Sequence, residues 1–233
     1  MGHTALMSRI ALISDVHGNE IALNAVLADI DRRGADETVC LGDVATLGPR
    51  PVAVLERLQK LGCVCILGNH DEFMLEPSLV REYSKIPVLL DAVGWCEAKL
   101  PSDAVDFIRG FRHSFELPLD DEHRLFLFHG APESNVVDLL ATTAPEELDA
   151  MLAGHHATVM AGGHTHIQML RQPRSPGQGR AAGGRAFGRQ PDLRLPGTDV
   201  RTIITGAGFR DKPNVPEQLR NFIGLNPGVT SAV

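Results

Sequence analysis

No apolar run in this chain approaches the roughly 18 residues that a membrane span needs. The opening, MGHTALMSRIALIS, has neither the basic leader nor the apolar length of a signal peptide. Leu6 stands where a myristoylation signal at Gly2 requires Ser or Thr. Together these absences predict a cytoplasmic protein with no membrane partner. Cysteine is scarce too: four in 233 residues are too few for a disulfide framework. Cys63 and Cys65 alternate along a strand and share a face, but CxC is not the CxxC of a zinc knuckle. They read as reduced, small core residues. The chain also has no internal repeat.

What is present is ordinary globular material: 43% apolar and 22% charged residues, enough for a sizeable core in one domain or a compact pair. The net charge of −7 hides a split. Residues 1–170 carry 25 acidic and 12 basic side chains, residues 171–220 carry 4 and 10, and the last thirteen carry none. An acidic body repels nucleic acid and anionic membrane unless cations or the basic tail intervene. All ten histidines lie at or before His166, so the chemistry is expected in the acidic part.

The order of elements predicts a parallel sheet covered by helices. RIALIS (9–14) reads as a strand, and a helix follows from Glu20, capped by Asn19 and stopped by Gly34. TVCL (38–41) is a second strand, a helix runs from Pro51 to Gly62, and CVCIL (63–67) is a third strand. Residues 88–100 have helical spacing, and Pro101-Ser102-Asp103 opens another helix. Residues 112–117 and 123–128 read as an antiparallel pair around an acidic turn. A helix at 145–152 and a strand at 158–161 follow. Beyond Arg171 the Arg-, Gly- and Pro-rich run reads as a mobile linker, with one more strand at 198–205 and a helical piece at 218–223.

Five times an apolar strand runs into a turn bearing metal-capable or polar side chains: Asp15/His17, Asp43, Asn69/His70, His129 and His164/His166. Loops beyond the carboxyl ends of parallel strands form the ligand crevice, so these distant segments are expected to converge. Gly18, Gly42, Gly68, Gly130 and Gly163 stand beside them and permit tight turns and close backbone approach. Each element alone is common; the ordered set is specific. His3, His113, His123 and the pair His155-His156 lie off these strand ends and are not expected to bind metal.

The run SDVHGN, LGD, LGNHD, FHG and GGHTH resembles the calcineurin-like metallophosphoesterases, in particular their small bacterial and archaeal phosphodiesterase-like members, over roughly residues 9–170. The resemblance implies an α/β fold built as a two-sheet β-sandwich with flanking helices, in α/β/β/α order and with an atypical C-terminal part. It implies two divalent transition-metal ions. Asp15, His17 and His166 would hold one, Asn69, His129 and His164 the other, and Asp43 would bridge them. Mn2+ is the first candidate, with Fe, Zn2+ or Ni2+ as alternatives for a mixed Asp/Asn/His shell without thiolate. Such a pair, about 3.5–4 Å apart, clamps the attacking and leaving oxygens of an in-line displacement by a bridging hydroxide. His70 would face the substrate as the catalytic residue, stabilising phosphoryl charge or protonating the leaving oxygen. Asp71 would orient a neighbour.

The implied function is hydrolysis of small phosphodiesters or phosphomonoesters, nucleotides among them. Protein Ser/Thr phosphatase motifs are missing: no Arg precedes GNH and no DRG follows Asp43. Two other readings compete: a binding scaffold that kept the fold without turnover, and a nuclease that uses Arg171–Arg194 as a nucleic-acid arm. With Phe187 the lone aromatic in that arm, a solvated linker is the simpler reading. The expected division is a metallophosphoesterase core at 1–170, an Arg/Gly/Pro-rich flexible segment at 171–197 and a C-terminal remainder at 198–233 with a closing strand.

Overall fold

The computed structural model describes residues 9–121, 123–167, 169–171, 180–183, 193–195 and 198–202. Its first half repeats a strand–helix unit. β1 (Arg9–Ile13) leads to α1 (Glu20–Arg33), whose Asn19 cap accepts a hydrogen bond from the Ala22 amide. Glu20 in its first turn and Arg32 and Arg33 in its last complement the helix dipole. Gly34, at φ 66°, supplies the left-handed residue that ends it. β2 (Glu37–Cys40) leads to α2 (Pro51–Leu61), which starts on a proline and stops at Gly62, φ 70°.

β3 is only Val64–Cys65, shorter than the run of apolar residues suggests: the Ile66 amide still donates to Cys40 of β2, but Ile66 also bridges to Arg112, and the Leu67 amide donates to the Arg112 carbonyl. A second departure is α3 (Asn69–Leu75), where the sequence reads as a turn. The Asp71 carboxylate at its third position accepts from the Gly68 amide and so closes the helix start. α4 (Leu79–Tyr83), α5 (Pro87–Glu97) and α6 (Ser102–Arg109) complete the helical middle. β4 (Phe115–Pro118) and β5 (Arg124–Leu127) pair antiparallel, as the acidic turn implies. α7 (Pro145–Met151), β6 (Val159–Gly162), β7 (Met169–Arg171), β8 (Arg180–Gly183), β9 (Leu193–Leu195) and β10 (Thr198–Thr202) follow.

Among the described residues two five-stranded sheets result, ordered β3-β2-β1-β10-β9 and β4-β5-β6-β8-β7. β1 is parallel to both β2 and β10, and β6 is parallel to both β5 and β8. Alternation along the strands sorts the core into layers. Ala11, Ile13, Cys40 and Cys65 face α1, α2, α3, α5 and α6. Ile10, Leu12, Val39 and Leu41 face the other way, against Leu125, Leu127, Val159 and Ala161 of the second sheet. Phe126, Phe128 and Met160 then meet Leu148 of α7. The fold is the expected α/β/β/α sandwich, each fully enclosed Leu such as Leu12 contributing about 1.5–3 kcal/mol of burial.

Within the stretch read as a linker, Arg180–Gly183 and Leu193–Leu195 pair into the two sheets, and Thr198–Thr202 falls inside the strand read at 198–205. The rest of 172–197 and the helical piece at 218–223 lie outside the described residues. Among the described residues no helix is long and apolar enough to cross a membrane.

Candidate metal centre

The carboxyl ends of β1, β2, β3, β5 and β6 meet at one rim, laced together by their own backbones. The Asp15, His17 and Gly18 amides donate to the carbonyls of Gly42, Asp43 and Val44 at 2.7–2.9 Å. The Gly163 amide donates to the His129 carbonyl at 2.7 Å, joining the two loops of the second sheet. The His164 amide reaches Asp15 Oδ1 at 3.2 Å and so joins the sheets themselves. Two glycines make this closeness feasible. A Cβ on Gly68 would run into the Asp43 carboxylate, and one on Gly163 into Ser14 and Asp15. Five of the side chains at the rim sit on left-handed backbone: Asp15, His17, Asp43, His164 and His166 have φ between 47° and 71°. Each such non-glycine residue costs on the order of 1–3 kcal/mol, a strain that folds tend to concentrate at functional sites.

Two groups of three ligand atoms form there, each with its atoms within 4.8 Å of one another: Asp15, His17 and His166, and Asp43, His129 and His164. In the first, His17 Nε2 and His166 Nε2 are 3.2 Å apart, and His166 Nε2 is 3.2 Å from Asp15 Oδ1. Bonds of about 2.1 Å to a shared ion span 3.2 Å at an angle of about 100°, an ordinary coordination angle. In the second, His129 Nε2 lies 3.3 Å from Asp43 Oδ2. The same Asp43 oxygen is 3.8 Å from His17 Nε2, so it stands between the two groups. Asp43 Oδ1 is occupied elsewhere, accepting the His70 amide at 2.9 Å.

The donor chemistry fits a pair of cations. Asp15 Oδ2, both amide atoms of Asn69 and His129 Nε2 are buried without a hydrogen-bond partner. His129 Nδ1 donates to the Leu41 carbonyl at 2.6 Å, which turns Nε2 toward the cluster. His17 Nδ1 likewise contacts Thr46 Oγ1 at 3.4 Å. Burial opposes the Asp15 charge, yet the His166 ring holds that carboxyl below the usual range. Burial also opposes the Asp43 charge, and His129 and His70 hold it well below that range. His129 itself is pushed up to about 9, the Asp43 carboxylate overcoming the effect of burial. Burial, helped by the neighbouring His70 and His166 rings, pulls His17 down to about 3 despite that same carboxylate. A proton on His129 thus plays the electrostatic part that a metal cation would take over.

Asn69, fully buried at the start of α3, shares the rim. His70 belongs to neither group of three; its ring stands edge-on to His17, with centroids 5.1 Å apart, and packs on Phe73. Burial lowers its pKa. Asp71 accepts the amides of Asp43 at 2.7 Å, Val44 at 2.8 Å and Gly68 at 3.1 Å, so it orients the Asp43 loop. The histidines not expected to ligate are elsewhere: His123 pairs with Asp120, His155 pairs with Glu133 and stacks on Phe126, and His113 is exposed. His3 lies outside the described residues. The sequence reading missed Asp138, whose Oδ1 is 3.2 Å from His164 Nε2, and Thr46. Both lie in loops without periodicity or a strand end to mark them.

Comparison with known proteins agrees with this geometry. The family model for calcineurin-like phosphoesterases matches residues 8–168. An uncharacterized protein of Methanocaldococcus jannaschii is 28% identical over 163 residues, covering 70% of this chain and 64% of its own length. The symmetrical bis(5'-nucleosyl)-tetraphosphatase of Pectobacterium carotovorum is 31% identical over 125 residues, covering 51% of this chain and 41% of its own. The chain therefore spans less than two thirds of these curated relatives. A metallophosphoesterase of Sphaerobacter thermophilus superposes with a TM-score of 0.59 at 21% identity, covering 77% of each chain. With its two sheets, its rim of histidines and carboxylates and a family match over most of its length, the chain belongs to the calcineurin-like phosphoesterases.

Proposed function

We propose that this chain hydrolyses small phosphate esters, phosphodiesters or phosphomonoesters, with two divalent transition-metal ions. Asp15, His17 and His166 hold one ion, Asn69, His129 and His164 the other, and Asp43 lies between. The observation that most supports the reading is the Asp43 carboxylate, whose Oδ2 is aimed at both groups while Oδ1 is tied to backbone. When bound, the ions supply Lewis acidity at phosphoryl oxygens and lower the pKa of water. Mn2+ is the first ion to supply, with Fe, Zn2+ and Ni2+ as comparisons.

The chain's own residues do the positioning. His129 is oriented by the Leu41 carbonyl, His17 by Thr46 and the Asp43 loop by Asp71. His70, enclosed beside the cluster and outside both groups, faces the substrate and stabilises charge on the phosphoryl or leaving oxygen. The tetraphosphatase relative supports nucleotides as the first natural substrates to try.

The test is Mn2+-dependent hydrolysis of bis(p-nitrophenyl) phosphate, read with the metal content of the same samples. Asp43→Ala is expected to abolish both turnover and the second ion. His70→Ala is expected to keep both ions and lose about 10²–10⁴ in rate. Metal uptake without turnover on any phosphate ester would overturn the enzymatic reading. Loss of an ion in His70→Ala would move His70 among the ligands.

A further inference from the structure

The chain has a single tyrosine, and the fold sets it beside His70. Tyr83 ends α4, and its ring lies tilted on Phe73 with centroids 5.4 Å apart. The His70 ring meets it edge-on at 6.4 Å, and His70 in turn meets His17 at 5.1 Å. Two ring contacts therefore lead from a side chain proposed to hold metal out to Tyr83. His17, His70 and Phe73 are buried, whereas Tyr83 stays 45% exposed. Burial, together with the charges of Asp43 and Asp138, raises the pKa of its hydroxyl, so the phenol is neutral. Asp138 is the carboxylate that meets His164, so both charges belong to the rim of the metal centre.

We propose that Tyr83 is a specificity-determining residue, a platform on which the organic group of the phosphate ester stacks when that group carries a flat ring, aryl or nucleobase. This deepens the phosphoesterase reading and rests on it, since that reading puts the phosphoryl group at the ions. A ring already held by Phe73 and His70 has little freedom left to lose on binding. Offset or tilted ring pairs also gain beyond the area they bury. The margin of the site is apolar as well. Ile167 directly follows His166, Val136 and Val137 directly precede Asp138, and all three are exposed. A mouth that is apolar beyond its polar centre favours an ester with an aromatic group over a bare sugar phosphate.

The single tryptophan supplies the control. Trp95 on α5 is about as exposed as Tyr83, but its ring is taken by the Lys99 ammonium, 5.6 Å from the centroid.

Binding and turnover are measured separately, on the full chain with Mn2+. Dissociation constants come from calorimetry with phenylphosphonate and methylphosphonate, which have no ester bond to cleave. Phenylphosphonate is expected to bind at least about fivefold tighter, the low end of what one stacked ring contributes. Tyr83→Phe should keep that ratio, Trp95→Leu should leave it as in wild type, and Tyr83→Leu should lower it at least about threefold. The nucleobase arm is inhibition of bis(p-nitrophenyl) phosphate hydrolysis by adenosine 5′-monophosphate against ribose 5-phosphate. A matching fall there in Tyr83→Leu identifies nucleotides as the ring-bearing esters, and a fall confined to the phosphonates identifies aryl esters. No ring preference in wild type, a preference that survives Tyr83→Leu, or equal weakening of ring-bearing and ringless ligands would each overturn the platform. Those outcomes with hydrolysis intact leave the phosphoesterase reading standing. A ring preference lost in Tyr83→Leu, without turnover of any ester, supports the platform and removes the enzymatic reading instead.

Discussion

His17 is enclosed, and burial keeps its ring neutral down to about pH 3, whereas an unfolded histidine takes a proton near 6.5. Between those values the unfolded chain binds one more proton than the folded one. Stability from this residue is therefore fully present above pH 6.5 and falls as pH drops through the window. In the metal-free protein the slope is about 1.4 kcal/mol per pH unit, or about 2 kcal/mol between pH 6.5 and 5. Urea unfolding of wild type and His17→Gln across that range is expected to show the extra loss in wild type alone; parallel curves would count against it. Asp71 acts through hydrogen bonds instead. Its carboxylate serves three buried amides, so Asp71→Ala leaves three donors without a partner. A loss of at least about 3 kcal/mol in the same assay is expected.

At the scale of elements, backbone conformation separates two glycines that look alike in sequence. Gly62 ends α2 at φ 70° with open space where a Cβ would sit, so Gly62→Ala carries only the left-handed cost, about 1–2 kcal/mol. Gly68 has ordinary extended φ but no room, and Gly68→Ala would push the Asp43 loop away from α3. Thermal melts should therefore show a modest loss for the first. The second should lose more, together with metal retention.

The same contrast explains what was legible in the sequence. α1 and α2 announce themselves through Asn19, Gly34, Pro51 and Gly62, which are local signals read within a turn. α3 does not, because the carboxylate that starts it is also bonded to Asp43 and Val44, 27 to 28 residues away. The rim residues were legible because each follows an apolar strand directly. Asp138 and Thr46 reach the cluster from loops whose course only the folded chain reveals.

At the scale of the whole molecule, both sheets draw on late parts of the chain. β8 pairs with β6 in the second sheet, and β10 lies between β1 and β9 in the first. A chain ended after Arg171 would keep every residue proposed to hold metal and lose three strands, exposing the edges of β1 and β6. Such a truncation is expected to be insoluble or to melt well below the full chain, as light scattering and a thermal scan would show. Equal solubility and melting would mean that the late strands contribute little.

The pairing of β1 with β10 also has a temporal side. Arg9 faces Asp199, and at about 5–20 residues per second a ribosome needs roughly ten to forty seconds to make the chain between them. Throughout that interval the nascent chain carries an open parallel edge along β1, four of whose five residues are buried in the finished fold. Holdase chaperones have their longest opportunity to bind there, and slowed elongation would lengthen it.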